Sequence, residues 1–465
     1  MKKISLRKLF EKEREVFESY KETNPELFIS PEIPEKELLS HIGVNIPFKQ
    51  RLEGYIRLYF YDFIVEELSL DKELSEIEPK EDKKILAPPL SRFSLYTNLI
   101  KVGISTSDAI FSLSEKLNIG SEKIGYAGLK DVKALTSQRI VFPNIDLETF
   151  KRIKGLSFPN FFLTNFSFGK GSIQPGQMYG NRFTIFIRTR GKANKNIVLQ
   201  NLKRIEKEGF LNFYHFQRFG TPRLLSHILG KLIFQGKYEE AVFSFLFDKG
   251  VKGIPLITEL RKEAESSRNW REVERIFKEF PYTFRNELRL VSYLKKHPGD
   301  FTGALIFIKD QTALWIYAYT SYLANLLLSL DEKMGLPKKI PLLLSNDLKD
   351  REVYRFWIEK DKIENFPENI KPFRFIVFKK RFIKSRVFPQ KIQYKILPEG
   401  IILSFILEKG SYATTFLMNL FEIKTGLPLP EWVDLKKYDI KKELGIGSVE
   451  EVKKILGEEI FKLPK

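Results

Sequence analysis

The chain has 465 residues, too many for one ordinary hydrophobic core, so we expect two or three domains. Hydrophobic residues make up 43% of the chain and aromatic residues 14%, a composition that folds rather than one that stays disordered. The lack of cysteine excludes disulfides, cysteine-ligated zinc, iron–sulfur clusters and thiolate nucleophiles, and the net charge of +19 favours a polyanionic partner, with nucleic acid ahead of an anionic membrane surface.

Apolar periodicity and turn residues divide the chain into predicted elements. In chain order these are a charged surface helix over residues 5–22, a strand region over 55–68, a helix over 106–117, a strand over 181–190, helices over 226–247 and 311–330, a strand over 401–407 and an amphipathic helix over 449–461. Thr106 is the expected N-cap, and Gly180–Asn181 is an expected tight turn. Strands at both ends of a helix-rich middle predict an α+β fold interrupted by an insertion.

Residues 311–330 carry no charge, and this run of 20 residues has the length of a membrane span. Its threonines, serines, asparagine and tyrosines favour a buried helix instead. The N-terminus is basic but lacks the apolar core of a signal peptide. We therefore expect a soluble, cytoplasmic protein.

The segment GYAGLKDVKALTSQ, residues 125–138, is the strongest candidate for chemistry. Asp131 lies between Lys130 and Lys133, after a glycine-containing turn, and an acid among cations stays ionised. Taken alone, Asp131 is better explained as a turn or cap aspartate, because Asp is common in turns. If the chain is an enzyme, Asp131 is the expected nucleophile.

Signatures of several other enzyme classes are missing from the sequence. There is no phosphate-binding GxxxxGK[ST], no dinucleotide-binding GxGxxG, no HExxH and no GxSxG motif. The histidines lack the spacing of metal ligands, so no metal site is predicted; they are His41, His215, His227 and His297.

Two segments combine basic and aromatic residues. Residues 371–395 hold nine Lys or Arg and no acid, interleaved with aromatic residues. This suits a nucleic-acid surface, because cations meet phosphates and rings stack on bases; a pair of edge strands with outward lysines is the alternative. Residues 212–223, NFYHFQRFGTPR, suit either a core turn with buried aromatic residues or a functional loop around Gln217 and Arg218.

Five motifs, in the family's order along the chain, resemble those of the TruD family of pseudouridine synthases. DFxVxE is matched by Asp62, Phe63, Val65 and Glu67; GxKDxxAxTxQ by Gly128, Lys130, Asp131, Ala134, Thr136 and Gln138; GNxF by Gly180, Asn181 and Phe183; QRFG by Gln217, Arg218, Phe219 and Gly220; and GSYAT by Gly410 to Thr414. Five weak motifs in order form a strong signal. Residues 1–36 and 431–465 lie outside the resemblance.

The resemblance implies base chemistry on RNA with no metal and no organic cofactor. The family aspartate corresponds to Asp131, which acts as nucleophile or acid–base group on a uridine that has left the RNA stack. The implied substrate-binding residues are Phe63, Asn181, Phe183, Tyr412 and Arg57. Arg57 stands where the family usually has lysine and can still pair with Asp131. Candidate RNA contacts are Lys130, Gln217, Arg218, Lys379, Lys380 and Arg381.

The resemblance also implies a fold and a function. The fold is α+β, a catalytic domain with a mixed or antiparallel sheet interrupted by a TruD-type α/β insertion domain. Expected boundaries are an N-terminal extension at 1–36, the catalytic domain at 37–210, the insertion at 211–395, a return segment at 396–430 and a C-terminal tail or helix at 431–465.

The expected function is site-specific isomerisation of uridine to pseudouridine in RNA. tRNA is the favoured substrate, at position 13 by family analogy. A catalytically silent RNA-binding module on the same fold is one alternative, and a different RNA-modifying enzyme, such as a methyltransferase or nuclease, is another. The sequence does not specify the oligomeric state, and we favour a monomer.

Overall fold

The computed structural model of the chain describes residues 6–29, 32–79, 93–191, 193–267, 269–331, 335–363, 365–426 and 428–461. The chain divides into two compact units. Phe48–Phe210 and Val387–Lys465 form one, called the sheet unit below, and Met1–Pro47 and Leu211–Arg386 form the other, called the helical unit.

The strands of the structure are β1 Leu52–Tyr55, β2 Phe63–Leu68, β3 Phe93–Val102, β4 Gly125–Tyr126, β5 Leu135–Ile145, β6 Phe161–Gly169, β7 Gly180–Arg188, β8 Phe210–Leu211, β9 Lys339–Pro341, β10 Phe382–Lys384, β11 Arg386–Val387, β12 Gln390–Leu397, β13 Gly400–Glu408 and β14 Phe421–Lys424. A 10-stranded sheet in the sheet unit runs in the order β12-β13-β7-β2-β5-β3-β6, with β1, β14 and β4 joining at its side. The pairs β2–β5 and β1–β14 are parallel and the others antiparallel, so the sheet is mixed.

The helices are α1 Leu6–Thr23, α2 Glu35–His41, α3 Thr106–Leu117, α4 Leu147–Lys154, α5 Asn196–Glu208, α6 Ser226–Phe234, α7 Tyr238–Phe247, α8 Pro255–Ser267, α9 Trp270–Phe277, α10 Arg285–Leu294, α11 Phe301–Phe307, α12 Lys309–Leu328, α13 Leu348–Val353, α14 Arg355–Lys360, α15 Phe366–Ile370, α16 Ala413–Leu417, α17 Ile440–Glu443 and α18 Glu450–Leu456. The uncharged run after residue 310 lies in α12, which is a buried helix as predicted. Within the described residues, no helix combines the length and apolarity needed to cross a bilayer.

The central sheet buries both of its faces, and strand β7 shows why. Phe183, Ile185 and Ile187 alternate onto one face, where they pack with α5 and α16. Phe186 points to the opposite face, where it packs with apolar residues of the C-terminal segment. The alternation predicted from the sequence is therefore confirmed.

Several local predictions differ from the structure. Ser105, not Thr106, caps α3 by accepting from the Asp108 amide, because the Thr106 hydroxyl is used in a buried hydrogen bond. The expected turn at Gly180–Asn181 is already part of β7, paired with both β13 and β2. The region 55–68 is not one strand: it begins at the end of β1, passes through a 3₁₀ turn at Phe60–Asp62 and continues as β2.

Two predicted helices are interrupted. The stretch 226–247 contains α6 and α7, separated at Gly236, whose φ of +76° favours glycine. The stretch 449–461 contains α18 and a 3₁₀ turn, separated at Gly457. The fold class itself is confirmed: the molecule is α+β with a mixed sheet.

Candidate active site

Asp131 lies in the loop between β4 and β5, and a buried lysine holds this loop from the inside. Lys101 of β3 is fully buried. Its Nζ donates to the carbonyl oxygens of Asp131 at 2.7 Å, Ile104 at 2.9 Å and Lys130 at 3.3 Å. One ammonium therefore satisfies three backbone acceptors, each of which would be costly to bury without a partner.

Two polar side chains of the same region fix the loop further. The Gln138 side chain donates from Nε2 to the Gly128 carbonyl at 2.9 Å and accepts the Thr106 hydroxyl at Oε1 at 2.8 Å. Thr106 Oγ1 in turn accepts the Lys130 amide at 3.0 Å. These bonds tie the loop to α3 and β5, so the position of Asp131 is set by a buried polar network.

Lys130 points away from the surface. Its side chain is only 4% exposed, and its ammonium pairs with the buried Glu67 carboxylate of β2. Glu67 also accepts the Arg139 amide at 3.3 Å. Lys130 is thus occupied inside the protein, in contrast to its expected role as an RNA contact, and the pair holds the residue next to Asp131 in place.

Arg57 is the charged partner of Asp131. Arg57 Nη2 donates to Asp131 Oδ1 at 3.0 Å, while the Asp131 side chain stays 28% exposed. The Arg57 guanidinium also lies 4.1 Å from the centroid of the Phe63 ring, a distance suited to a cation–π contact. The guanidinium therefore connects the carboxylate to the aromatic side of the site, and the carboxylate remains open to an incoming group.

The backbone at Arg57 is unusual. Its φ is +63°, in the left-handed region that non-glycine residues rarely adopt. Its Nε is buried and has no hydrogen-bond partner among the described residues. Such strain persists where surrounding structure imposes it, and it is often found in functional sites.

Phe183 of β7 lies beside Phe63, and Asn181 is two residues before Phe183 on the same strand. The Phe63 and Phe183 rings meet edge to face with centroids 6.3 Å apart. Asn181 is opposite Glu67 in the backbone register of β7 and β2. The Oδ1 of Asn181 is buried with no hydrogen-bond partner among the described residues. Gly180 allows β7 to approach β13 closely, because a Cβ there would lie 2.1 Å from the Leu407 carbonyl oxygen.

Tyr412 lies in the short segment that follows β13 in the sheet unit. It immediately precedes α16, and its carbonyl accepts the Phe416 amide at 3.2 Å. Two residues earlier, Gly410 has a φ of +83°, which turns the chain after β13. The strand partner of Phe183 on β13 is Phe405, so the turn follows directly from a strand of the site.

Burial shifts the pKa of two groups around the site. It lowers the pKa of Lys101 to about 8, against the opposing attraction of Asp131. Burial also raises the pKa of Asp62 to about 6, although Arg188 donates to it at 3.0 Å and acts in the opposite direction. Asp62 directly precedes Phe63, so the strand that carries the aromatic residue begins at a buried ion pair.

The remaining RNA-binding candidates belong to the helical unit. Gln217 and Arg218 lie in a 3₁₀ turn at Phe216–Phe219, in which Gln217 is exposed and the Arg218 guanidinium lies 5.3 Å from the Tyr214 ring centroid. Lys379, Lys380 and Arg381 directly precede β10. Lys380 pairs with Asp347 at 2.7 Å.

The basic-aromatic segment 371–395 fits neither interpretation completely. Phe373 is buried, as expected for a core residue, whereas Phe382, Phe388 and Tyr394 are about half exposed. β12 is an edge strand of the sheet, as the alternative interpretation expected. The exposed rings nevertheless leave stacking surface at this part of the chain.

Sequence reasoning missed Lys101 and the partner of Lys130. The available signal for Lys101 was a single lysine in the otherwise weakly charged strand FSLYTNLIKV. A charged residue in a buried strand requires compensation, and here the compensating groups are backbone carbonyls of the loop that carries Asp131 and of the nearby Ile104. No set of three or more His, Cys, Asp or Glu side chains suited to a metal ion occurs within the described residues.

Comparisons with known proteins identify the family to which the chain is similar. A family model described as tRNA pseudouridine synthase D (TruD) matches residues 46–380, which is more than half of the chain. Tyr412 and the C-terminal segment lie beyond the matched residues.

Curated relatives and a solved structure are similar over most of their length. "Probable tRNA pseudouridine synthase D 1" of Methanocaldococcus jannaschii is 28% identical, over 80% of this chain and 96% of the relative. tRNA pseudouridine synthase D of Aquifex aeolicus is 26% identical, over 76% and 98%. The crystal structure of a TruD protein from Methanosarcina mazei has a TM-score of 0.62 at 21% identity, covering 85% of this chain and 99% of that one, which shows a common fold.

Proposed function

Because the chain belongs to the TruD family of tRNA pseudouridine synthases, we propose that it converts uridine to pseudouridine within tRNA. The observation that carries the proposal is the contact of Asp131 with Arg57 beside Phe63. This places a partly exposed carboxylate next to aromatic rings, which is the chemistry that a flipped nucleobase requires.

The reaction breaks the bond between N1 of uracil and C1′ of ribose and forms a bond from C5 to C1′. C5 loses its proton and N1 gains one, so nothing is added or removed overall. Asp131 is the nucleophile or the acid–base group of this exchange. Arg57 orients its carboxylate through a charge-assisted hydrogen bond.

The aromatic residues and Asn181 form the proposed uracil pocket. Phe63 and Phe183 are buried, at 1% and 6% exposure, so in this proposal they form the apolar wall behind the base. The unpartnered Oδ1 of Asn181 would accept a hydrogen bond from the uracil N3–H, which cytosine lacks. Tyr412 would close the pocket from the turn after β13.

The target is position 13 of tRNA by family analogy, and the enzyme acts as a monomer in the cytoplasm without a cofactor. Gln217, Lys379 and Arg381 would contact RNA outside the pocket, together with Arg218 and Lys380.

Replacing Asp131 tests the proposal. Asp131→Asn keeps the size of the side chain and removes its charge, so we expect pseudouridine formation to fall by at least 10³-fold while tRNA affinity changes less than about threefold. Pseudouridine is quantified by mass spectrometry of digested tRNA, and affinity by filter binding. Asp310→Asn, an exposed aspartate of the helical unit, is the charge-matched control.

Two results would contradict the proposed enzymatic activity or the role of Asp131 in it. A wild-type protein that binds tRNA but forms no pseudouridine in any tRNA tested would favour the silent RNA-binding module. Full activity in Asp131→Asn would show that another residue performs the chemistry.

A further inference from the structure

The loop that carries Asp131 has an inner face held by hydrogen bonds to the protein interior and an outer face with apolar side chains. On the inner face, the backbone from Gly128 to Asp131 is held by Lys101, Thr106 and Gln138. On the outer face, Leu129 is 68% exposed and Val132 is 45% exposed. Two aliphatic side chains therefore project into solvent on either side of the proposed nucleophile.

Scattered exposed aliphatic residues are ordinary on protein surfaces. These two differ because their backbone is immobilised by buried hydrogen bonds, so they cannot turn inward to bury themselves. A rigid loop that holds apolar groups in water beside a reactive carboxylate presents a preformed contact for the substrate.

There is free space next to Gly128, in the turn that precedes Asp131. Gly128 does not have a positive φ. A Cβ added there would meet only Met178 Sδ, at 3.8 Å, among the described residues. The fold of this chain thus does not require glycine at residue 128, whereas a chain passing closely over the turn would.

We propose that Leu129 and Val132 pack against the bases that adjoin the target uridine and occupy the space it leaves in the RNA stack. This inference rests on the proposed function. Aliphatic side chains inserted at a base step are a general means of stabilising an unstacked nucleic acid, because they replace part of the lost stacking surface. RNA is the occupant that the charges favour: the neighbouring Lys133 is exposed, and the chain carries a net charge of +19.

The test combines Leu129→Ser with Val132→Ser in one variant. The control is Leu147→Ser, an exposed leucine placed just beyond the far end of β5, which at about 3.3 Å per residue is roughly 30 Å from the loop. Single-turnover pseudouridine formation is measured on a tRNA that wild-type protein converts. Base unstacking is measured in the Asp131→Asn background with 2-aminopurine placed next to the target uridine.

We expect the double variant to bind tRNA within about threefold of wild type, but to react at least tenfold more slowly and to lose most of the 2-aminopurine fluorescence rise. The control should match wild type in all three measurements. Gly128→Ala should keep the wild-type melting temperature and also react at least tenfold more slowly, because its methyl group would meet the RNA.

Three outcomes overturn the inference. One is a double variant with the wild-type rate and fluorescence rise. Another is a slow double variant that keeps the full rise, since the loop would then act on chemistry rather than on the stack. The third is Gly128→Ala with wild-type activity. Wild-type protein that converts no uridine would refute the proposed function first, and is distinguished from these by its own lack of activity.

Discussion

Asp131 depends on residues that are distant in sequence. Arg57, its ion-pair partner, is 74 positions away, and Lys101, which binds its carbonyl, is 30 positions away. The lysines beside Asp131 in the sequence, Lys130 and Lys133, do not supply that ion pair, since Lys130 pairs with Glu67. The charge environment of the proposed nucleophile is therefore a tertiary property, although the local sequence suggested the same sign of charge.

Lys101 predicts a pH dependence of activity. A protonated amine has three donors for its three carbonyl partners, and a neutral amine has only two. Since burial lowers the pKa of Lys101 to about 8, we expect kcat/KM on tRNA to decline above pH 8 as one loop contact is lost. Lys101→Met should be less active at every pH and should lack this alkaline decline.

Stability should change in the opposite direction over the same range. The pKa of Lys101 is about 8 in the folded chain, below the ordinary value of 10.5, so the unfolded chain binds more protons between these values. The free energy of unfolding should therefore rise with pH across this window. Urea titrations at pH 7.5 and 9.5 check this, and a loss of stability in step with activity would contradict a local effect of Lys101.

Among the elements, the C-terminal segment after residue 428 forms part of the hydrophobic core, a role that was not predicted from its sequence. Its apolar residues, including Val433, Ile440 and Val452, cover the face of the sheet opposite α5. Lys441 of α17 is fully buried, and its Nζ donates to Glu66 of β2 at 2.7 Å and to Glu78 at 2.6 Å. The segment lies beyond the residues that the family model matches, yet it completes the hydrophobic core behind β2.

Removing the Lys441 charge should destabilise the chain strongly. Lys441→Met would remove the ammonium shared by Glu66 and Glu78 and leave Arg182 as the remaining cation at the buried Glu66. Breaking a buried ion pair costs about 3–5 kcal/mol in the free energy of unfolding, and the Arg182 contact places this variant at the lower end of that range. Chemical denaturation measures the change.

The adjacent residue provides the control. Lys442 is exposed, so Lys442→Met should change the free energy of unfolding by no more than about 0.5 kcal/mol. Equal effects of the two substitutions would show that the buried ion pair does not stabilise the sheet unit.

At the scale of the whole molecule, the net charge of +19 predicts salt-sensitive RNA binding. Each phosphate neutralised adds about 0.7 to 0.9 to the magnitude of the slope of log K against log salt concentration. Changing Lys379, Lys380 and Arg381 together to serine should reduce that magnitude by about 2 if these residues contact phosphates. Filter binding of tRNA between 50 and 300 mM salt, roughly the range in which such effects are large, gives the slope.

A charge-matched variant separates this surface from net charge. The helical unit also has three exposed lysines away from this segment, Lys252, Lys296 and Lys309. Changing them to serine removes an equal amount of positive charge. An equal decrease in slope for both triple variants would mean that the segment before β10 has no special part in RNA binding.

The sequence by itself determined the family, the fold class and the alternation of β7. These follow from ordered motifs and from periodicity, which depend on neighbours along the chain and are therefore readable from it. Local boundaries were less accurate: Gly180 and Asn181 suited a turn, but pairing with β2 and β13 made them strand.

The resemblance suggested the pairing of Arg57 with Asp131, but only the tertiary structure decided the other charge contacts of the site. It turned Lys130 toward Glu67 and placed Lys101 beneath the loop. The physical reason is that burial makes ionic partners obligatory without specifying them. The partners come from strands and connecting loops that the sheet brings together across long stretches of sequence.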